Sequence, residues 1–197
     1  ARLALVNSYL GEYDTANKIL ESIDKNSNSK YYYLVEIIKI QNESNEKIAN
    51  HTINKKYLEY LKIKYSDLDK KYPDTLEING LLGGVVVLLS EYKQAIPVLN
   101  KALKPSNLDA TGVYRNLAIA YSGVGEYQNA YKAGNEAFAR NKSIMSDADF
   151  MIAMANANSG MGNFEDAQTA LKVIATKVPQ VVNDPKFIEA VKMATHK

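Results

Sequence analysis

Apolar residues recur along this 197-residue chain at the spacing of an α-helix. Leu117, Ala118 and Tyr121 stand at i, i+1 and i+4, which places them on one face. Ala130, Gly134, Ala137 and Phe138 do the same for the next segment, and a short polar turn around Gly125 separates the two. Tyr57, Leu58, Leu61, Tyr65 and Leu68 form a longer helical stripe. Near the end, Asp184-Pro185 reads as an N-cap followed by proline at the first helical position. Phe187, Ile188, Val191 and Ala194 then supply the apolar face of a last helix. These faces predict an all-α chain of helices joined by tight turns.

A short phrase returns at long intervals. It reads Gly11-Glu12-Tyr13-x-x-Ala16, Ser90-Glu91-Tyr92-x-x-Ala95, Gly125-Glu126-Tyr127-x-x-Ala130 and Gly162-Asn163-Phe164-x-x-Ala167. Such a unit marks an internal repeat, and repeats of this kind build stacked scaffolds with extended binding surfaces. With the recurring Ala as a ruler, and Ala49 placed between Ala16 and Ala95, the steps are 33, 46, 35 and 37 residues. The 46-residue step implies an insertion of about twelve residues relative to a period of roughly 34. Small residues at the Ala and Gly positions let paired helices approach, and the aromatic two residues after the Gly is expected to pack over the joint between them. Pro179 stands where a helix should stop.

This pattern resembles the tetratricopeptide repeat. Residues 111–144 match it with Tyr114, Leu117, Ala118, Tyr121, Gly125, Tyr127, Ala130 and Ala137. Residues 148–181 match with Met151, Met154, Ala155, Gly162, Phe164, Ala167, Leu171 and Pro179, and depart at Asn158, where Tyr is usual. Residues 76–109 offer Leu82, Gly83, Tyr92, Ala95, Leu99 and Ala102. A first unit over about 1–29 enters mid-helix with Leu3, Ala4, Gly11, Tyr13, Ala16 and Leu20. A degenerate unit over about 30–63 keeps Tyr33, Ile37, Ile40 and Ala49 but puts Glu36 at a Leu position. The resemblance implies one repeat domain over 1–197: a right-handed superhelical stack of antiparallel helix pairs, with residues 184–197 as a C-terminal capping helix.

The resemblance also implies a binding surface. In this family the first helix of each pair lines the concave face, and that face takes an extended peptide or a helix. Carried over by position, the groove residues are Gly80, Leu81, Gly84 and Val87, then Arg115, Asn116, Ile119 and Ser122, then Ile152, Asn156 and Ser159. Arg115 and Asn156 are the polar groups best suited to a peptide carboxylate or backbone carbonyl. Leu34 and Ile38, or Gly80 and Gly84, occupy the slots where a Lys-plus-Asn clamp for chaperone tails would stand, so that role is disfavoured.

Composition narrows the function classes. A net charge of +2 gives no electrostatic case for nucleic acid. Zero cysteine removes disulfides, zinc–thiolate sites and cysteine nucleophiles. The longest apolar run, from Leu81 to Leu89, is too short to span a bilayer. His51 and His196 stand alone, without a second ligand at helical spacing. Gly80-Leu81-Leu82-Gly83-Gly84 lacks the Gly-Lys-Ser/Thr ending of a phosphate loop. Asp67, Asp69 and Asp74 lie beside Lys70 and Lys71 as on a solvated face. The Tyr31-Tyr32-Tyr33 run serves a helix core or a sticky patch. Alanine is scarce before residue 100, and the segment from Asp24 to Asp74 should carry longer, more solvated helices.

The expected function is therefore a non-enzymatic protein-interaction scaffold with no cofactor and a protein or peptide partner. The alternatives are a self-assembling module, which would make a homo-oligomer, and the accessory part of a larger multi-domain bacterial protein. A start at Ala1 reads as a fragment or processed product, with any signal peptide or lipid anchor upstream. The wealth of Lys, Asn, Ile and Tyr points to an AT-rich bacterial gene. Cytoplasmic and exported or envelope-associated locations fit equally well.

Overall fold

The computed structural model describes residues 2–23, 32–103 and 110–195. The sequence expectations for Ala1, Tyr31, His196 and the unit boundaries near residues 29 and 109 lie outside them. Among the described residues every regular element is helical. The chain divides into two compact bodies, one ending at Pro73 and the other beginning at Asp74.

The first body holds α1 (Arg2–Tyr9), α2 (Tyr13–Glu21), α3 (Tyr32–Ala49) and α4 (Lys55–Lys71). Ala4, Ala16, Leu20, Val35 and Ile38 form its core, with Leu5, Ile19, Ile23 and Tyr32 packed against them. Leu61, Tyr65 and Leu68 of the predicted stripe are buried on α4. Asn54 caps α4 by accepting from the Tyr57 backbone N–H at 3.0 Å. Polar contacts tie the helices as well. Asn45 donates to Ser8 Oγ at 2.9 Å, Tyr60 donates to Glu43 Oε2 at 3.1 Å, and Lys71 pairs with Glu36 at 2.8 Å. The Glu36 carboxylate thus meets an ammonium from α4.

The second body holds three helix pairs and a last helix. They are α5 (Leu76–Leu88) with α6 (Tyr92–Lys101), α7 (Thr111–Gly123) with α8 (Tyr127–Arg140), and α9 (Ala148–Gly160) with α10 (Phe164–Lys177), then α11 (Pro185–Thr195). Short 3-10 helices cover Lys142–Ser146 and Pro179–Asn183. The helices α5, α7, α9 and α11 pack on one another in a continuous row. Each of α6, α8 and α10 packs on the two members of that row beside it. The row buries Ile78, Leu117, Phe150 and Phe187, against Leu99, Ala137 and Ile174 from the second helices.

The turns between helices share one geometry. In each, one residue adopts a left-handed φ: Gly11 at 81°, Ser90 at 61°, Gly125 at 80° and Gly162 at 82°. Its N–H and the next one reach back to carbonyls of the preceding helix, as Gly125 N to Ser122 O and Glu126 N to Tyr121 O. This pair of bonds is the Schellman motif, which glycine favours because it has no Cβ to clash.

The same bonds appear at His51, whose φ is 51°: His51 N bonds Ile48 O and Thr52 N bonds Lys47 O. His51 is therefore the turn residue of the α3–α4 pair. This corrects the ruler used on the sequence. Ala49 ends α3; it does not open the second helix of a pair. Counted from the turns at 11, 51, 90, 125 and 162, the steps become 40, 39, 35 and 37 residues. The extra length is shared by α3, with 18 residues, and α4, with 17, in place of a single insertion. A boundary at residue 63 falls inside α4.

A second finding concerns the recurring aromatic. At Tyr92 and Tyr127 it also packs against the following pair. The Tyr92 ring lies against Gly123, and the Tyr127 ring against Gly160, each glycine ending the first helix of the following pair. A Cβ at either glycine would overlap the ring. Gly83 faces Leu99 and Gly134 faces Met154 with the same lack of room. The glycine run near residue 80 is thus a packing surface, with Gly83 toward α6 and Gly80 and Gly84 toward α7.

Candidate functional site

The predicted groove residues all fall on the row of first helices in the second body, at matching offsets from the start of each helix. Their surroundings differ. Gly80 and Gly84 of α5 face α7, where a Cβ on Gly80 would touch Val113 and one on Gly84 would lie 3.0 Å from Asn116 Nδ2. Leu81 is half-buried beside them, and Val87 is buried in the helix packing.

Arg115 is not a free cation. Its Nε donates to Asp147 Oδ2 at 2.9 Å, its Nη2 to Asp147 Oδ1 at 2.8 Å, and its Nη1 to Asn116 Oδ1 at 2.8 Å. A guanidinium presents a planar fork that matches a carboxylate in this two-point manner. Asp147 is also the N-cap of α9, where its Oδ1 accepts from the Phe150 N–H at 2.9 Å. One carboxylate therefore starts α9 and fastens it to α7. The expectation that Arg115 presents itself to a ligand gives way to this structural bond.

The remaining residues do converge. Ile119 and Ser122 from α7, and Ile152 and Asn156 from α9, line a pocket of about 370 Å³. Tyr92 and Gly123 close one side, and Pro185, Lys186 and Glu189 of α11 close another. Ile152 is 4% exposed and Ile119 8%, so they form a floor. Polar groups stand around it. The Oδ1 of Asn156 is buried without a hydrogen-bond partner, and so is the Oγ of Ser159, which lies one turn further along α9. Lys186 pairs with Asp149 at 2.8 Å across α11 and α9. The hydrogen bond that Lys186 donates to Asp149 raises its pKa above the usual lysine value. An apolar floor with a few fixed polar groups is the usual make-up of a ligand cleft. A buried carbonyl oxygen in need of a donor suits an incoming N–H.

The sequence reading missed the part played by α11. Read as a cap alone, it was assigned no binding residue. The repeat register itself holds the signal: Glu189 stands at the same offset from the start of α11 as Arg115 does in α7 and Ile152 in α9. Asp147 was missed because its partner lies 32 residues away.

Other chemistry does not gather here. Among the described residues no group of three or more His, Asp or Glu side chains is placed to hold a metal ion. His51 is accounted for by its turn. No helix among the described residues is long and apolar enough to cross a membrane.

Helix pairs joined by recurring Schellman turns, stacked through their first helices, define the tetratricopeptide-repeat fold, and this chain has it. Solved structures of MamA, a tetratricopeptide-repeat protein, are similar to it across nearly the whole length. The AMB-1 form of MamA superposes with a TM-score of 0.59 at 17% identity, covering 91% of this chain and 97% of that one. The MSR-1 form gives a TM-score of 0.57 at 17% identity, covering 91% and 94%. No protein-family model and no curated protein matches the sequence.

Proposed function

We propose that this chain is a non-enzymatic interaction scaffold that takes an extended segment of a partner protein on the face formed by α5, α7, α9 and α11. The observation that carries this reading is the convergence of Ile119, Ser122, Ile152 and Asn156 on one pocket, with the Asn156 Oδ1 left without a donor. The floor accepts an apolar side chain, and Asn156 accepts a main-chain N–H beside it. Glu189 and the Lys186–Asp149 pair set the charge at the rim. The fold supports the reading, because extended peptides are recognised by a few side-chain pockets beside main-chain hydrogen bonds.

The test is a peptide selected from a random library on the wild-type protein, with its affinity then measured for variants by fluorescence polarisation. Asn156→Leu should weaken binding roughly tenfold, since the N–H it served loses its acceptor. Glu189→Lys should change the charge preference of the selected sequence. A peptide held equally by all three proteins binds elsewhere and overturns the assignment to this face.

A second reading, self-association, is favoured by α1. Leu3 is 64% exposed and Tyr9 71%, with Val6 on the same helix and Leu10, 70% exposed, just beyond its end. Light scattering over a concentration series tests it: mass should rise with concentration in the wild type and stay monomeric in Leu3→Glu, Val6→Lys.

A further inference from the structure

The first body contains a cleft that the peptide-binding reading does not use. It lies between α2 and α3, has a volume of about 350 Å³, and is lined by Asn17, Glu21, Lys39, Asn42, Glu43 and Glu46. Three carboxylates face one ammonium. A neighbouring cleft shares Glu46 and adds Glu12 and Asp14, so the acidic rim continues along the start of α2.

Acidic residues on a surface are ordinary. What sets this cleft apart is Asn42. It is 2% exposed, and its amide orientation is fixed by its neighbours. Its Nδ2 donates to the Tyr13 backbone carbonyl at 3.1 Å and to Asn17 Oδ1 at 2.9 Å. The Tyr13 carbonyl can only accept, so the amide cannot be turned round. The Oδ1 is then left as a buried acceptor without a partner. A buried carbonyl oxygen framed by carboxylates is complementary to a group that only donates and carries positive charge.

We infer that the α2–α3 cleft is a binding site for an organic cation, the guanidinium or alkylammonium group of a basic side chain or polyamine. A metal ion fits less well, since among the described residues no three carboxylates stand close enough to share one. An ammonium or guanidinium carries several donors spread over a wider volume and needs no such cage. Its charge would be met by Glu21, Glu43 and Glu46, which line the cleft together with Asn42. This site is independent of the α7–α9–α11 pocket.

The experiment is an amide NMR titration of the whole chain with acetyl-arginine amide, spermidine, acetyl-citrulline amide and magnesium chloride. The two organic cations should produce saturable shifts at the Asn42 and Asn17 side-chain amides and at the Glu43 and Glu46 backbone. The neutral citrulline compound, nearly the same shape as arginine, should produce none. Glu21→Gln and Glu46→Gln change exposed residues and leave the core intact; each should weaken the cation roughly threefold. Tighter binding of the arginine compound assigns the cation to a partner's side chain, and tighter binding of spermidine assigns it to a free polyamine; both support the site. Equal shifts with citrulline, absence of saturation, or tighter binding of magnesium would overturn it.

Discussion

In the body that begins at Asp74, helices meet at residues with almost no side chain. Gly83 lies under Leu99, Gly123 under Tyr92, Gly134 under Met154 and Gly160 under Tyr127. In the body that ends at Pro73, the corresponding ties are made by tyrosine, asparagine and charge: Tyr60 to Glu43, Asn42 to Asn17, Asn45 to Ser8 and Lys71 to Glu36. The first arrangement buries helix against helix at short range. Its weakness is steric, because a close-packed interior has no room to absorb added atoms. The second adds hydrogen bonds and an ion pair to its apolar core and buries the Tyr65 phenol on α4, so its weakness is the protonation state of that phenol. Each body should fail under a different stress.

The largest expected effect lies in the second body. Gly160→Val places a branched side chain where the Tyr127 ring sits, and should cost about 3 kcal/mol in a denaturant melt. Adding Tyr127→Ala should return part of that loss, and an additive double mutant would show that the ring and the glycine do not oppose each other. Next is Asp147→Ala, which removes the α9 cap and the Arg115 pair together. It should cost about 2 kcal/mol, the cap alone contributing about 1.

The third prediction probes the first body with pH. Burial pushes the Tyr65 phenol well above the ordinary tyrosine value of 10.0, and also raises Tyr57, Tyr60 and Tyr72. The sign follows from linkage: a folded-state pKa above the unfolded one means the folded chain holds the proton more tightly. That contribution is complete below pH 10.0, falls as pH rises beyond it, and is gone above the folded-state value. The melting temperature should therefore drop on the alkaline side of pH 10.0, and Tyr65→Phe should drop less. An unchanged pH profile in Tyr65→Phe would show that Tyr65 is not the sensitive group.

The smallest effect compares the two bodies at one geometric position. Ser90 and His51 hold the left-handed turn conformation that glycine adopts freely. Ser90→Gly and His51→Gly should each raise stability by about 0.5 kcal/mol in the same denaturant assay, the gain being offset in part by greater freedom of the unfolded chain. A loss in either would mean the side chain contributes more than its backbone strain costs.

Much of the fold was legible because it rests on local signals. Apolar spacing marked the helix faces, and three of the five turns carried glycine. The His51 turn was not legible, since histidine adopts a left-handed φ far less often than glycine, and the recurring Ala gave a false register there. The candidate pocket was half legible. Position along the repeat gave Ile119, Ser122, Ile152 and Asn156, whereas Lys186 and Glu189 required seeing α11 as a further member of the row. Arg115 was misread because the sequence shows a charge and not its partner. Asn42 was not singled out, because its significance lies in two donors spent on Tyr13 and Asn17, contacts that span 29 and 25 residues.

The double duty of Asp147 bears on the order in which the chain is made. A ribosome delivers Arg115 long before Asp147, and until then the guanidinium has only Asn116 as a side-chain acceptor. When Asp147 arrives, one carboxylate supplies both the clasp on α7 and the first-turn acceptor of α9. The clasp that docks α9 on α7 and the cap that starts α9 therefore depend on one residue. A nascent chain halted just before Asp147 should hold α7 and α8 more loosely than one halted after Phe150, although α9 itself has scarcely begun.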